Sequence, residues 1–294
     1  MPILLSILVA CILVLLVWLR RYMFYGEPNR VVVTRCEVPV PGSSPELDGV
    51  VLCHLSDLHI SREERNRAAI TKAVRSVKAH VYLFTGDLIG GSEGVECFLG
   101  WLDEMGDAVR PAVMVLGNAE HKEGVDTAGF VDALRRRGVT VLINQTERIA
   151  VHPGATLQIL GVDDPHTGHE DFQAAACALE PDRFTLVLCH SPDGLADPAF
   201  PPADLVLCGH THGGQIRLPL LPVLWANTRK VRGIVAGMYQ GAPLRRRVPS
   251  GCGPRMVYVS RGLGTGGCRA RLLCPPELAV FTLRRIEGGT LSTR

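Results

Sequence analysis

Residues 204–216 read DLVLCGHTHGGQI, an apolar run that ends in glycine and two closely spaced histidines. Leu205 to Cys208 predict a buried strand, and Gly209 ends it. Alternate residues at a strand end point the same way, so His210 and His212 can face one point. Imidazole is a common ligand of divalent metals, and the pair therefore indicates metal binding. For this segment alone, the alternative is a loop that happens to carry two histidines.

The same design, an apolar run followed by polar residues, recurs along the chain. It is found in VVLCHL at 50–55, VYLFTGDLI at 81–89, AVMVLGNAEH at 112–121 and FTLVLCHSPD at 184–193. Helices are predicted between several of these runs, near 95–105, 125–137 and 170–179, and a further helix is predicted to open at a capping box, Ser61-x-x-Glu64. Continuous apolar strands alternating with helices predict an α/β domain whose sheets are covered by helices. VTVLIN at 139–144, ERIAVH at 147–152 and TLQILGVDD at 156–164 are joined by short turns, which favours antiparallel pairing among them.

Seven nitrogen and oxygen donors lie at or just beyond the ends of five predicted strands. Open α/β sheets place their ligand sites at this edge. Each donor alone has an ordinary explanation, such as a turn cap or a core histidine, but the joint pattern indicates a site. The seven residues are Asp57, His59, Asp87, Asn118, His190, His210 and His212.

Seven donors exceed the four that one tetrahedral zinc accepts, and a shared carboxylate makes two sites of about four protein ligands each. Carboxylate, amide and imidazole without thiolate suit manganese, iron or zinc, and the residues do not choose among them. Two such ions about 3.5–4 Å apart polarise a phosphoryl oxygen and generate a bridging hydroxide for in-line attack. We therefore expect two divalent metal ions.

The N-terminal residues 2–19 form an apolar run without charge. As a helix rising about 1.5 Å per residue it spans about 27 Å, close to the thickness of a bilayer core. A cleaved signal peptide is the alternative, but it needs positive charge before the run and a small-residue cleavage site after it. Here Arg20 and Arg21 follow the run, which predicts an uncleaved single-pass anchor with the rest of the chain in the cytoplasm.

Composition adds two constraints. The ten cysteines are scattered without a CxxC pair, which indicates reduced thiols and a cytosolic main domain. The formal net charge of +2 is close to balanced, so nothing predicts a nucleic-acid partner.

Three further segments have weaker signals. Gly262-x-Gly264-x-x-Gly267 has the dinucleotide-binding spacing, but the CRARLLCPPE that follows offers no helix, so a tight loop bordering the metal site is favoured. Residues 218–239 are apolar with interspersed cations, which fits either ordinary core and loop or a surface for a lipid phosphate. Residues 245–247 are three arginines, which fit a solvated loop or a contact with anionic headgroups.

The ordered motifs resemble those of a known family. Asp57-x-His59, Gly86-Asp87, Gly117-Asn118, His190 and Gly209-His210-Thr211-His212 are similar to the motif set of the calcineurin-like metallophosphoesterases. SRGLGTGG at 260–267, CPPELAVFTL at 274–283 and the apolar N-terminus resemble the membrane-associated branch of that family. The resemblance implies a four-layer αββα sandwich of two mixed sheets, here preceded by one transmembrane helix.

The resemblance also implies roles for the seven donors. One metal would be held by Asp57, His59, Asp87 and His212, and the other by Asp87, Asn118, His190 and His210, with Asp87 bridging. We expect Asn118 and His190 to act in catalysis as well, by steadying the developing phosphoryl charge.

One position departs from the family pattern. The third motif of the family usually reads Gly-Asn-His-Asp/Glu, and its histidine helps to protonate the leaving group; Ala119 occupies that position here. General-acid help is worth about 10²–10⁴-fold, so its loss bears on turnover of poor leaving groups. Either His121 substitutes, or the leaving group, such as a phosphate, needs little protonation.

The sequence thus predicts a membrane-anchored enzyme that hydrolyses a phosphomonoester, phosphodiester or pyrophosphate bond in a phosphorylated small molecule or lipid. The alternative, which Ala119 favours, is a catalytically weak metal-binding scaffold that binds a partner protein. We expect an anchor and interface at 1–25, a linker with an edge strand at 26–49, the metallophosphoesterase domain at 50–286 and a tail at 287–294.

Overall fold

Two six-stranded mixed sheets form the centre of the fold. The computed structural model describes residues 2–63, 65–223, 225–248 and 253–285, and the expected tail lies outside them. With strands numbered in chain order, the first sheet contains β1 (Val32–Val40), β2 (Val51–Leu55), β3 (Val81–Thr85), β4 (Ala112–Val115), β5 (Thr140–Val141) and β12 (Glu277–Arg285). Its spatial order is β1-β12-β2-β3-β4-β5, and β12 with β2 is its antiparallel pair.

The second sheet is built in the same manner. It contains β6 (Gln145–His152), β7 (Ala155–Gly161), β8 (Thr185–Leu188), β9 (Leu205–Cys208), β10 (Gly237–Gln240) and β11 (Met256–Val259). The spatial order is β10-β11-β9-β8-β7-β6, with antiparallel pairs only at its two edges. The carboxyl ends of β8 and β9 therefore lie side by side, as do those of β2, β3 and β4 in the first sheet.

Helices cover the outer face of each sheet. Against the first sheet pack α2 (Arg67–Arg75), α3 (Gly94–Met105) and α4 (Thr127–Arg136), and against the second pack α5 (Phe172–Ala176) and α6 (Gly241–Arg245). Between the sheets lies a third apolar layer that includes Leu83, Leu186 and Phe281. Both faces of the central strands are thus buried, which explains their unbroken apolar sequences. The predicted four-layer αββα sandwich is confirmed.

Two local predictions were wrong. In the segment 139–144, only β5 is a strand, and it pairs parallel to β4 in the first sheet instead of antiparallel to β6. The chain crosses between the sheets there, so the antiparallel pairing is confined to β6 and β7. Helix α2 begins at Arg67 after Asn66, well beyond Ser61; the other half of the expected capping box, Glu64, lies outside the described residues. The side chain of Asn66 instead donates to the carbonyls of Pro28 (3.1 Å) and Leu263 (2.9 Å).

The N-terminal helix α1 (Pro2–Arg21) stands apart from the sandwich. It continues as a π-helical turn over Tyr22–Gly26 and a 3₁₀ turn over Glu27–Asn29. The whole span has a mean hydropathy of 3.0 in its most apolar window and buries none of it, so by length and composition it is a candidate membrane span. The nine-residue edge strand β1 follows and joins the first sheet through β12.

Candidate metal centre

The seven predicted donors meet where the carboxyl ends of the two sheets face each other. Asp57 and His59 follow β2, Asp87 follows β3 and Asn118 follows β4. The second sheet contributes His190 after β8, and His210 and His212 after β9. Parallel neighbours end at one edge, so residues more than a hundred positions apart become adjacent.

Three donors form the first group, which we call the glycine-loop side: Asp57, His59 and His212. Their ligand atoms all lie within 4.8 Å of one another. His59 Nε2 is 3.1 Å from His212 Nε2, and the latter is 3.5 Å from Asp57 Oδ1. This side is bordered by residues 261–274, since a Cβ on Gly266 would lie 2.7 Å from His212 Nε2. The expectation that the glycine motif borders the site is confirmed.

Three other donors form the histidine-loop side: Asn118, His190 and His210. His190 Nε2 lies 3.3 Å from Asn118 Oδ1 and 3.2 Å from His210 Nδ1. This side is bordered by residues 163–169, because the ring of His166 lies 4.3 Å from that of His210. Asp87 stands between the two sides, with Oδ1 3.4 Å from His190 Nε2 and Oδ2 3.5 Å from His59 Nε2.

The backbone at the site is strained. Five of the seven donors have left-handed φ angles: Asp57 51°, His59 47°, Asp87 51°, His210 68° and His212 49°. Glycine adopts this region freely, whereas other residues pay of order 1 kcal/mol or more for it. Retention of aspartate and histidine at such positions indicates that their side chains are needed there.

Hydrogen bonds to groups behind the donors fix their orientation. His190 Nδ1 donates to the carbonyl of Thr85 at 2.6 Å, which directs Nε2 at the site. The hydroxyl of Ser56 donates to Asp57 Oδ2 (2.6 Å), and the backbone N–H of Ala119 donates to Asp87 Oδ1 (2.6 Å). Both carboxylates are therefore held in place before any ligand binds.

Burial and nearby charges set the protonation of the imidazoles. Burial, with His190 as a further cause, lowers the pKa of His210 to about 3. Burial also holds the pKa of His212 well below its usual range. For His190, burial lowers the pKa, but the carboxylates of Asp87 and Asp57 outweigh it and raise the pKa to about 9. Two imidazoles are thus neutral at pH 7, the form that binds a metal, and His190 must release a proton to do so.

The residues present fit divalent metal ions. Pairs of imidazole nitrogens face each other on both sides of the centre, and the buried Nε2 of His210 has no hydrogen-bond partner among the described residues. Buried polar atoms without partners are costly, and a cation among them would satisfy several lone pairs together. The donors are carboxylate, amide and imidazole, which suit zinc, manganese or iron.

Sequence reasoning missed three residues beside the centre. The first is Glu120, whose carboxylate accepts the backbone N–H groups of Asp87 (2.9 Å), Gly117 (2.8 Å) and Leu88 (2.7 Å). Burial, together with Asp87, raises the pKa of Glu120 to about 7. A carboxylate three residues after the strand-ending Gly117 was a usable signal, since it can close the turn on itself.

The second and third residues lacked any local signal. Arg271 is fully buried and donates to the carbonyls of Arg261 (2.8 Å), Gly262 (3.1 Å) and Cys274 (3.0 Å), with one nitrogen 3.4 Å from His212 Nδ1. His166 is half-buried beside His210, and its Nδ1 is unpartnered among the described residues. The contacts of Arg271 with His212 and of His166 with His210 join residues far apart in the chain, which no spacing rule detects.

Ala119 and His121 lie in the segment that departs from the family's third motif. Ala119 is fully buried, and its backbone supports Asp87. His121 Nε2 lies 2.7 Å from Asp163 Oδ1, and its ring stacks on His169 at 4.0 Å. The hydrogen bond with Asp163 raises the pKa of His121. Substitution of His121 for the missing histidine stays a prediction.

Comparison with known proteins places the chain in a family. Residues 50–214, more than half of the chain, match the calcineurin-like phosphoesterase family. The chain belongs to that family. It is therefore a metal-dependent phosphoric ester hydrolase, and the predicted resemblance is confirmed.

Three relatives span most of the chain. A phosphodiesterase, YaeI of Escherichia coli (strain K12), is 32% identical over 89% of this chain and 92% of its own length. A transmembrane protein with metallophosphoesterase domain from Bos taurus is 27% identical over 86% of this chain and 57% of its own length. The UDP-2,3-diacylglucosamine pyrophosphatase LpxG of Chlamydia trachomatis is 24% identical over 87% of this chain and 90% of its own length.

Proposed function

We propose that this protein is a membrane-anchored phosphoesterase that uses two divalent metal ions to cleave a phosphodiester or pyrophosphate bond in a lipid-linked substrate. The observation that carries the proposal is the convergence of seven donors between two sheets, with Asp87 in contact with both sides. A carboxylate in that position can be shared by two ions.

The proposed ligand sets follow the two sides of the centre. Asp57, His59 and His212 would hold one ion with Asp87, and Asn118, His190 and His210 would hold the other with Asp87. Manganese, zinc and iron all suit these donors. When bound, the two ions would supply Lewis acidity toward a phosphoryl oxygen and an activated water.

The side chains of the protein position the substrate and its charge. Asn118 is half-buried at the centre, and its amide N–H can donate to a phosphoryl oxygen. His190 is fixed by Thr85, so it holds its direction as charge develops on the phosphoryl group. Preorganised groups of this kind need no reorganisation during the reaction.

Ala119 favours a phosphodiester or pyrophosphate bond as the bond that is cleaved. With no histidine at that position, a leaving group that is itself a phosphate or an acidic alcohol needs the least protonation. The names of two relatives, a phosphodiesterase and a pyrophosphatase that acts on UDP-2,3-diacylglucosamine, support the same choice. The second name also supports a lipid-linked substrate.

The anchor proposal rests on α1 and on the residues after it. The helix is long and apolar enough to span a bilayer, and Arg20 and Arg21 end it. The positive charge favours a cytoplasmic domain, and the nine described cysteines are all free, as expected in a reducing compartment. The bovine relative is named as a transmembrane protein.

The test uses the full chain in detergent. We expect manganese-loaded protein to hydrolyse bis(p-nitrophenyl) phosphate, and Asp87→Asn to lose both metal content and about 10³-fold in kcat/KM. Asp103→Asn is the matched control, because Asp103 is an exposed aspartate paired with Arg137 on the surface. Bound metal without turnover on this ester or on p-nitrophenyl phosphate would favour the scaffold alternative.

A further inference from the structure

Exposed large apolar side chains are concentrated in one region of the domain. Among the described residues outside α1, they are Tyr25, Leu218, Leu220, Leu221, Trp225 and Leu273. Leu220 and Trp225 are 104% and 78% exposed. We call Leu218, Leu220, Leu221, Trp225 and Leu273 the apolar patch. Large apolar side chains exposed in neighbouring segments indicate an interaction surface.

The apolar patch is tied to the end of the anchor helix by hydrogen bonds. The carboxylate of the buried Glu27 accepts the backbone N–H groups of Leu273 (2.9 Å) and Cys274. The carbonyl of Met23 accepts the N–H of Arg271 at 2.9 Å. Leu273 therefore has a fixed position relative to the residues that follow α1.

The remaining members of the patch join this region through a short backbone ladder. Ile216 and Leu272 form a parallel bridge, and Arg217 donates to the carbonyl of Leu272 at 2.8 Å. The exposed leucines of this segment start at the next residue, Leu218, and include Leu220 and Leu221. Residues 216 and 217 thus lie beside Leu272, in the segment that is bonded to Met23 and Glu27.

The distance along the anchor sets the depth of this region. Glu27 is six residues beyond Arg21, which in a helix is about 9 Å. The polar layer of each leaflet is about 5–8 Å thick beyond the hydrocarbon core. Met23, which accepts from Arg271, is only two residues or about 3 Å beyond Arg21. Residues 271–274 therefore extend from within the headgroup layer to its outer surface when α1 spans the bilayer.

Charge identifies the kind of surface that the patch would meet. Residues 205–276 contain no aspartate or glutamate. Their eleven cations are Arg217, Arg229, Lys230, Arg232, Arg245, Arg246, Arg247, Arg255, Arg261, Arg269 and Arg271. Since the whole chain has a formal charge of +2, the rest of it has a formal charge of −9 (2 − 11). Arg271 is buried, and four of the cations pair with acids outside the segment: Lys230, Arg255, Arg261 and Arg269. Arg229, Arg232 and the three arginines at 245–247 are exposed and form no ion pair among the described residues. Exposed apolar side chains with such cations are typical of segments that bind anionic bilayers.

We propose that the apolar patch enters the headgroup layer of the leaflet that holds the anchor, and that this second contact fixes the metal centre at the membrane surface. The inference rests on the proposed anchoring. The segment that contains the patch is close to the centre. Gly213 and Gly214 follow His212 directly, and Val223 packs so closely on Gly214 that a Cβ there would collide with it. The thiol of Cys274 lies 3.4 Å from the carbonyl of His212.

The direct test measures the depth of Trp225 with the full chain in vesicles of phosphatidylcholine and phosphatidylglycerol whose acyl chains are brominated near the headgroup. The chain has three tryptophans, of which Trp18 lies in α1 and Trp101 is buried. We expect Trp18→Phe protein to show quenching by bromine, and Trp18→Phe/Trp225→Phe protein, which retains Trp101, to show none.

Trp225→Phe protein reports on Trp18 and hence on the anchor. If bromine quenches Trp18 but Trp225 is quenched by aqueous iodide instead, α1 is in the membrane and the patch is not. That result would overturn the proposal while leaving the anchor in place. Quenching of neither would overturn both. These readouts need no hydrolysis, so they separate failure of the membrane contact from failure of the proposed activity.

A second test compares hydrolysis of p-nitrophenyl hexadecyl phosphate in vesicles with that of soluble bis(p-nitrophenyl) phosphate. We expect Leu220→Asp/Leu221→Asp to lower the ratio of the two rates by at least about tenfold, because two leucines leave the membrane. The soluble rate should be unchanged, since both side chains are exposed and neither residue is one of the seven donors. An unchanged ratio would overturn the proposal.

Discussion

The two sides of the metal centre are bordered by different kinds of groups. Residues 261–274 border the glycine-loop side with backbone and with the buried Arg271. A Cβ on Gly262 would lie 2.8 Å from Asp57, and one on Gly266 would lie 2.7 Å from His212. Residues 163–169 border the histidine-loop side with side chains, among them His166 and His169. The first border is also bonded to Glu27, in the 3₁₀ turn that follows α1.

This difference separates two tasks. A border of backbone and buried guanidinium fixes the position of the centre and links it to the residues that follow α1. The histidine-loop border, with the half-buried His166 and the exposed His169, offers imidazole groups that can donate to a substrate. We therefore expect changes on the glycine-loop side to affect metal binding and stability, and changes in the histidine loop to affect turnover.

The largest expected effect tests whether each side holds an ion. His212→Ala on one side and His210→Ala on the other should each lose one of two manganese ions and at least about 10³-fold in kcat/KM, because the metals supply several kcal/mol. Metal content by mass spectrometry and hydrolysis of bis(p-nitrophenyl) phosphate measure this. Full metal content in either variant would contradict two-sided binding.

The second prediction concerns the glycine-loop border. Arg271→Lys should lower the free energy of unfolding by about 3 kcal/mol, because lysine cannot reach the several carbonyls that the guanidinium serves. Metal affinity should fall by about 10–100-fold, as expected for a residue that supports a ligand. Arg269→Lys is the matched control, since Arg269 is half exposed, and should change stability by less than about 0.5 kcal/mol. Equal effects of the two substitutions in urea unfolding would refute the assignment.

The third prediction concerns pH on the histidine-loop side. His190 has a raised pKa of about 9 in the metal-free protein, so below that pH it holds a proton that metal binding must displace. Manganese affinity should therefore rise about tenfold per pH unit well below pH 9, or roughly 50-fold from pH 7 to 9, through this group. Because the pKa of His190 is higher in the folded than in the unfolded chain, its proton stabilises the folded, metal-free protein. This contribution to the free energy of unfolding is complete below about pH 6.5 and is lost as the pH rises toward 9. Competition with a chelator measures the affinity, and a flat profile would show that His190 is neutral before metal binds.

The smallest effect distinguishes two histidines of one loop. His166→Ala should reduce kcat/KM about tenfold with unchanged metal content, because a hydrogen bond to a charged phosphate is worth about 1.5 kcal/mol. His169→Ala removes a ring that stacks on His121 and should change kcat/KM less than twofold. A reversed order would point to His121 as the group that serves the substrate.

Residues that follow apolar strands were the predictable part of this molecule. Periodicity located β2, β3, β4, β8 and β9, and the rule that strand ends converge brought their seven donors together. The pairing of those donors into two ligand sets came from family resemblance and stays a prediction. The parallel β5 and the late start of α2 were not predictable, because the switch between sheets and the contact of Asn66 with Pro28 depend on tertiary structure. Arg271 and His166 escaped for the same reason.

The left-handed backbone at five donors has a consequence for the life of the protein in the cell. Each such residue stores of order 1 kcal/mol, which bound metal would offset by stabilising only the folded chain. A change of about 1–2 kcal/mol in stability alters cellular abundance several-fold, since proteases degrade the unfolded fraction. Metal supply would then control how much of this protein persists, and starvation for divalent ions would remove the enzyme as well as silence it.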